Sequence, residues 1–168
     1  MALEIRPAVP ADLAAIRPLI ERAYRGDTAR QGWTHEADLL FEPRLGEGEL
    51  DEIVADPAQT LLVLTQDAHP LGCVNVAQRS ATLAYLALLC IEPAKQGRHL
   101  GRTLLAGAER HARETLGCKT MEMTVIEQRT ELIAYYERRG WEVTGERRDF
   151  PVRLDPPFHM TVLVKSLV

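Results

Sequence analysis

Apolar residues recur along this chain with two different periods, and the switches between them outline its elements. Leu3 to Arg6 reads as a short strand, and over Ala11–Tyr24 the residues Leu13, Ile16, Ile20 and Ala23 fall on one helical face. Pro18 lacks an amide hydrogen, so it predicts a kink or a split in that helix. Glu49 to Val54 reads as a short helix, and Leu61-Leu-Val-Leu-Thr65 and Leu71–Gln78, separated by Asp67-Ala-His-Pro70, predict a β-hairpin. Ala81 to Ile91 is the most apolar strand and ends at Glu92-Pro93. After a glycine-containing turn, Leu100, Leu104, Ala108, Ala112 and Leu116 share one face of a long helix, with Arg102, Glu109, Arg110, Arg113 and Glu114 elsewhere and Gly117 closing it. Lys119–Ile126, Thr130–Arg139 with Gly140 beyond it, Trp141–Glu146 and Thr161–Lys165 add a strand, a helix and two strands. Mostly strands, then helix, strand, helix and strands is the order of a mixed α/β sheet, with no internal repeat and no low-complexity segment.

Composition narrows the field. A length of 168 residues with 46 % hydrophobic content suits one domain spanning 1–168 with a core of its own. The net charge of −4, with both signs interspersed, leaves no basic stripe, so nucleic-acid binding lacks electrostatic support and a neutral or cationic small substrate fits better. Cys73, Cys90 and Cys118 are widely spaced inside apolar runs, which predicts reduced core thiols and no metal site. Met1-Ala-Leu-Glu-Ile-Arg6 has no signal pattern, and no stretch approaches the ~20 apolar residues that cross a bilayer, so a cytoplasmic location with no membrane partner is expected. A homodimer stays open.

The chemistry-bearing stretch is Leu89-Cys-Ile-Glu-Pro-Ala-Lys-Gln-Gly-Arg-His-Leu-Gly-Arg-Thr-Leu-Leu105, which runs from the apolar strand through a tight turn into a helix. The first N–H groups of a helix have no intrahelical partner and sit at the positive end of its dipole, so they can hold phosphate oxygens. Gly97 and Gly101 let the backbone approach an anion, and Arg98 and Arg102 add charge. A plain strand-to-helix turn has the same composition. Neither the Walker pattern nor Gly-x-Gly-x-x-Gly is present.

Gln96-Gly-Arg-His-Leu-Gly101 resembles the Gln/Arg-x-x-Gly-x-Gly/Ala signature of the GNAT acetyltransferases, with His99 standing where the family has its inner glycine. Glu131-Leu-Ile-Ala-Tyr-Tyr-Glu-Arg-Arg-Gly-Trp141 resembles the family's second signature, a tyrosine before Glu-x-x-Gly-aromatic, which selects Tyr136. The resemblance implies an α/β (α+β) fold with a mixed, mostly antiparallel sheet of about six to seven strands flanked by about four helices. It also implies acetyl-coenzyme A as co-substrate and acetyl transfer to a primary amine. By resemblance, Leu89, Cys90 and Ile91 offer main-chain groups to the pantetheine arm. Gln96, Gly97, Arg98, His99, Leu100, Gly101 and Arg102 surround the pyrophosphate. Tyr136 protonates the departing thiolate, while Tyr135, about 100° around the helix, points away. Arg129 stands where many relatives carry an asparagine.

An amine must lose a proton before it attacks, and relatives often use a carboxylate of the central strand, which Tyr85-Leu-Ala-Leu-Leu-Cys-Ile91 lacks. His35 or Glu36 in the polar Arg25–Gly48 segment, or a water chain, are the alternatives. In this superfamily that segment lies beside the acceptor pocket, where Trp33 and Glu36 suit an ammonium group by cation–π contact and charge, and Phe150–Phe158 adds another wall. Two other functions fit the same motifs: a non-catalytic acetyl-coenzyme A sensor, and an acetyltransferase acting on a protein N-terminus or lysine. The long segments 25–48 and 147–158 favour an enclosed pocket over the open groove that a protein substrate needs.

Overall fold

The computed structural model describes residues 2–25, 44–151, 154 and 156–168. Strand β1 (Leu3–Pro7) leads through a 3-10 turn into α1 (Leu13–Tyr24), followed by α2 (Glu49–Ala55), β2 (Gln59–Gln66), β3 (His69–Gln78) and β4 (Leu83–Ile91). Then come α3 (Leu100–Arg110), β5 (Thr120–Ile126), α4 (Thr130–Arg138), β6 (Glu142–Asp149) and β7 (His159–Ser166). The strands form one sheet in the order β1-β2-β3-β4-β5-β7-β6. Only β4 and β5 pair in parallel: the β4-α3-β5 crossover returns the chain in the same direction directly beside β4, whereas β5-α4-β6 does so with β7 between the two strands.

Each face of the sheet carries a core. One packs α3 and α4 residues, among them Leu104, Leu105 and Tyr136, on Leu62, Val74, Met121 and Leu163. The other packs Ile16, Leu19 and Ile20 of α1 and Leu50 and Ile53 of α2 on Leu61, Val63 and Cys73. The alternation of β2, β3 and β4 therefore serves two apolar layers, and these strands read as nearly continuous apolar runs.

Three local expectations are corrected. Pro18 sits inside a continuous α1. It is exposed, as is Ala14, so its ring sits on the solvent face of the helix and water can satisfy the Ala14 carbonyl that it leaves without a helical partner. The regular helix of α3 ends at Arg110 and widens into a π-turn over His111–Thr115 before Gly117. The hairpin turn is tighter than expected: β2 and β3 extend to Gln66 and His69, leaving Asp67 and Ala68, both left-handed, as a two-residue loop.

The feature that makes a site is where pairing stops. β4 and β5 pair only from Leu83↔Thr120 to Tyr85↔Glu122, and beyond that they diverge. β4 then carries a bulge: Cys73 pairs with Cys90 but Asn75 with Ala87, so two residues of β4 oppose Val74. Leu88 takes φ 57° there. As a result Ala84 and Leu86 belong to the α3 core, Leu88 and Cys90 to the α1 core, and Ile91 to the α3 core again.

Among the described residues, no helix is long and apolar enough to cross a membrane.

Candidate active site

Past the bulge, β4 alternates its main-chain groups between its neighbour β3 and the cleft. Glu92 donates to the Leu71 carbonyl of β3, so the groups of Leu89 and Ile91 point the other way. Two side chains meet them there: the Tyr24 hydroxyl donates to the Leu89 carbonyl at 2.8 Å, and Gln96 Nε2 donates to the Ile91 carbonyl at 3.2 Å. Arg22 of α1 grips Glu92 at 2.6 Å and fixes the end of the strand.

The turn that follows brings Gly97 to φ 86°, and a Cβ added there would meet nothing within 4 Å, so the backbone is bare toward the cleft. His99 caps α3 in the left-handed region, φ 61° and ψ 14°. Its carbonyl accepts the Thr103 N–H at 3.1 Å and the Thr103 hydroxyl at 3.0 Å, which starts the helix and leaves the first amides facing outward. The family signature has glycine at this place, and the observed φ gives the physical reason: the position requires a left-handed backbone that histidine tolerates at some cost.

A cavity of about 390 Å³ opens against this turn, lined by Leu89, Cys90, Ile91, Gln96, Gly97, His99, Gly101 and Arg102 on one side and by Arg129, Leu132, Tyr135 and Tyr136 on the other. Two residues expected in it are elsewhere. Arg98 is exposed outside the lining, and Leu100 is buried in the core beneath the helix. Cys90 lines the cavity with its strand, but its thiol lies 3.7 Å from that of Cys73 in the α1 core. That contact, with burial, pushes the Cys73 thiol well up, so it stays protonated. All three cysteines are free. Among the described residues no group of three metal-ligating side chains occurs.

A second cavity, of about 560 Å³, lies beyond the first and is lined by Arg25, Arg44, Glu49, Tyr85, Thr124, Phe150 and apolar residues of β4 and β5. Tyr24, Leu89, Arg129, Leu132 and Tyr136 line both cavities, so Tyr136 stands at their junction. Its ring packs edge-on against Trp141, with centroids 6.2 Å apart, and only 5 % of the residue is exposed. Burial pushes its phenol well above the ordinary tyrosine range, against the pull of Arg129 and with a smaller push from Tyr135. The phenol is therefore a neutral donor at any physiological pH. Tyr135 is not turned away as helix geometry suggested: it lines the first cavity too, 5.5 Å from Tyr136 between ring centroids.

Trp33, Glu36 and His35 lie outside the described residues. Sequence reasoning missed Tyr24, Arg44 and the Tyr85–Thr124 pair, whose hydroxyls are 2.6 Å apart across the divergence of β4 and β5. A phenol ending α1 and an arginine closing a polar segment carry no motif, and only the fold brings them to β4.

The chain is similar to known proteins both in family and in fold. The model of the acetyltransferase (GNAT) family matches residues 14–141. The ribosomal-protein-S18-alanine N-acetyltransferase of Escherichia coli superposes with a TM-score of 0.76 at 17 % identity, covering 99 % of this chain and 94 % of that one. An acetyltransferase of the GNAT family from Streptococcus pneumoniae gives 0.70 at 19 %, covering 98 % and 99 %. The spermidine/spermine N-acetyltransferase of Vibrio cholerae gives 0.71 at 18 %, covering 98 % and 92 %. At these identities the likeness establishes the fold and says nothing of the acceptor. No curated protein matches the chain in sequence.

Proposed function

The chain belongs to the GNAT acetyltransferase family, and on that premise we propose that it transfers an acetyl group from acetyl-coenzyme A to the primary amine of a small molecule, with Tyr136 as the general acid. The observation that carries this reading is that Tyr136 lines both cavities where they join. A donor is useful only there, between a cofactor on one side and an acceptor on the other.

The first cavity fits the co-substrate. Leu89 and Ile91 direct carbonyls to it, so this edge of β4, with Cys90 between them, would run beside the pantetheine amides as a further strand does. Gln96 to Arg102 would surround the pyrophosphate, using the bare backbone at Gly97, the first amides of α3 and the charge of Arg102, with Arg98 adding charge from outside the lining. Bound acetyl-coenzyme A supplies the thioester whose C–S bond breaks.

The protein's own residues do the rest. Tyr85 and Thr124 hold the floor where the strands part, and the second cavity places the amine against the thioester carbonyl. A neutral amine forms the C–N bond, and the Tyr136 hydroxyl gives its proton to the sulfur as the C–S bond breaks. Water returns the proton lost by nitrogen to the phenolate, so coenzyme A leaves as the thiol. Among the described lining residues of the second cavity Glu49 is the one carboxylate, and it accepts the Gly46 N–H at 3.3 Å. Deprotonation of the incoming ammonium is therefore assigned to His35 or Glu36 of the 25–48 segment or to a water chain, rather than to a side chain of β4.

Coenzyme A release, read with a thiol reagent against amino acids, polyamines, aminoglycosides and short peptides, tests the reading. Turnover of a small amine supports it. Tight acetyl-coenzyme A binding without turnover across the panel favours the sensor, and turnover of peptides alone favours a protein acceptor.

A further inference from the structure

The protein carries a net negative charge, yet arginines outnumber carboxylates among the described lining residues of its second cavity. Its described lining residues include Arg25, Arg44 and Arg129 and the single carboxylate of Glu49. Fields inside a cleft are set by the groups that line it rather than by the charge of the whole molecule.

Arg44 is the most informative of these. Glu21 of α1 accepts both its N–H, at 2.7 Å, and that of Leu45, at 2.8 Å, so the backbone is pinned to α1. The guanidinium lies over the Tyr24 ring, 5.3 Å from its centroid. Tyr24 is itself tied to Leu89. The arginine is thus held on a rigid platform at the wall of the cavity, and among the described residues no carboxylate forms an ion pair with it. Arg44 is half-buried, and a guanidinium drawn part-way out of water at a pocket wall is favoured by a ligand that supplies a counter-ion. The rest of the wall is largely apolar, with Leu86, Met123, Val125, Ile126 and Met160, which suits a hydrocarbon body rather than a second charge.

We infer that the acceptor is an amine that also bears a carboxylate, an amino acid or similar zwitterion with an apolar body, and that Arg44 receives its carboxylate. This rests on the acetyl-transfer reading above and names the substrate class for the same site. A planar guanidinium held on an aromatic face presents paired N–H groups that match a carboxylate. The bound anion leaves the amine end free to extend toward Tyr136.

The test uses matched acceptors: apolar L-amino acids, their C-terminal amides and the corresponding decarboxylated amines, with an aminoalkyl phosphate as a second anion. With wild-type protein the amino acids should have a kcat/KM roughly 10–100-fold above that of their amides and decarboxylated amines, the range expected of a charged hydrogen-bonded pair. Arg44→Gln should remove most of that ratio through the acceptor KM, and Arg44→Lys should restore part of it. If amides and plain amines are used as well as the acids, or if Arg44→Gln leaves the ratio intact, the inference falls while acetyl transfer stands. Preference for the aminoalkyl phosphate overturns the carboxylate as well. If no acceptor releases coenzyme A, the acetyl-transfer reading fails, and thermal shift in the presence of coenzyme A decides the anion question. Stabilisation by the amino acids but not their amides, lost in Arg44→Gln, upholds the assignment, and no stabilisation refutes it.

Discussion

The Tyr24 hydroxyl reaches across from the last residue of α1 to donate to the Leu89 carbonyl at 2.8 Å, on the edge of β4 that has lost its neighbour. One bond thereby joins the helix that carries the wall of the second cavity to the strand edge that lines the first. Tyr24→Phe keeps the ring on which Arg44 lies and deletes the hydroxyl that makes this bond. Loss of one hydrogen bond to a carbonyl that water can reach should cost about 1 kcal/mol, a fall in Tm of about 2–4 °C. The KM for acetyl-coenzyme A should rise several-fold as the edge loosens. An unchanged KM in steady-state kinetics would show that the edge does not contact the co-substrate.

His99 offers a different test, of backbone rather than side chain. At φ 61° it occupies a conformation that glycine reaches freely and other residues adopt at a cost on the order of 1 kcal/mol. His99→Gly should raise Tm by about 2–4 °C, and His99→Val, whose branched Cβ tolerates this region least, should lower it. A loss of stability in the glycine variant would mean that the imidazole makes contacts worth more than the strain.

How far the sequence reveals this site depends on what each part is made of. The helix ends are legible because they rest on local chemistry: Gly117, for example, takes φ 70° where the helix pattern stops. The turn before α3 is legible for the same reason, since its glycines and its resemblance to a known signature lie within one short stretch. The bulge at Leu88 is not, because a leucine in the left-handed region leaves no mark in an apolar run, and without the bulge the edge at Leu89 and Ile91 cannot be placed. Arg44 is hidden for another reason. Its partners Glu21 and Tyr24 belong to α1, far from it in sequence, so only tertiary structure reveals that it has a platform.

Gly101 lines the first cavity, and a Cβ built there would meet only Ile91 Cγ1, at 3.8 Å. That is ordinary contact, so Gly101→Glu introduces charge without a backbone clash. Calorimetry should show acetyl-coenzyme A affinity falling by at least about tenfold, as a carboxylate near the first turn of α3 competes with and repels a phosphate, with the fold intact by circular dichroism. Unchanged affinity would remove the pyrophosphate from this turn.

Tyr136 is the decisive residue, and its environment makes the experiment clean. Its ring is held by Trp141 and Tyr135, and among the described residues its hydroxyl makes no hydrogen bond, so Tyr136→Phe preserves the packing and removes no structural bond. General acid assistance is worth typically 10²–10⁴-fold, or roughly 3–5 kcal/mol of barrier. The kcat of Tyr136→Phe should therefore fall by about two orders of magnitude, with the acetyl-coenzyme A dissociation constant and Tm little changed. Tyr135 lines the first cavity but not the second. Its phenylalanine variant should act through the KM for acetyl-coenzyme A and lose far less kcat. The pH profile separates an acid from a merely packed ring. Burial raises the Tyr136 pKa, so the phenol stays protonated as pH rises, and the wild-type kcat should show no alkaline fall assignable to a tyrosine up to pH ~10, the ordinary tyrosine value. Equal losses of kcat in the two variants, or a Tyr136→Phe protein as active as wild type, would refute the role.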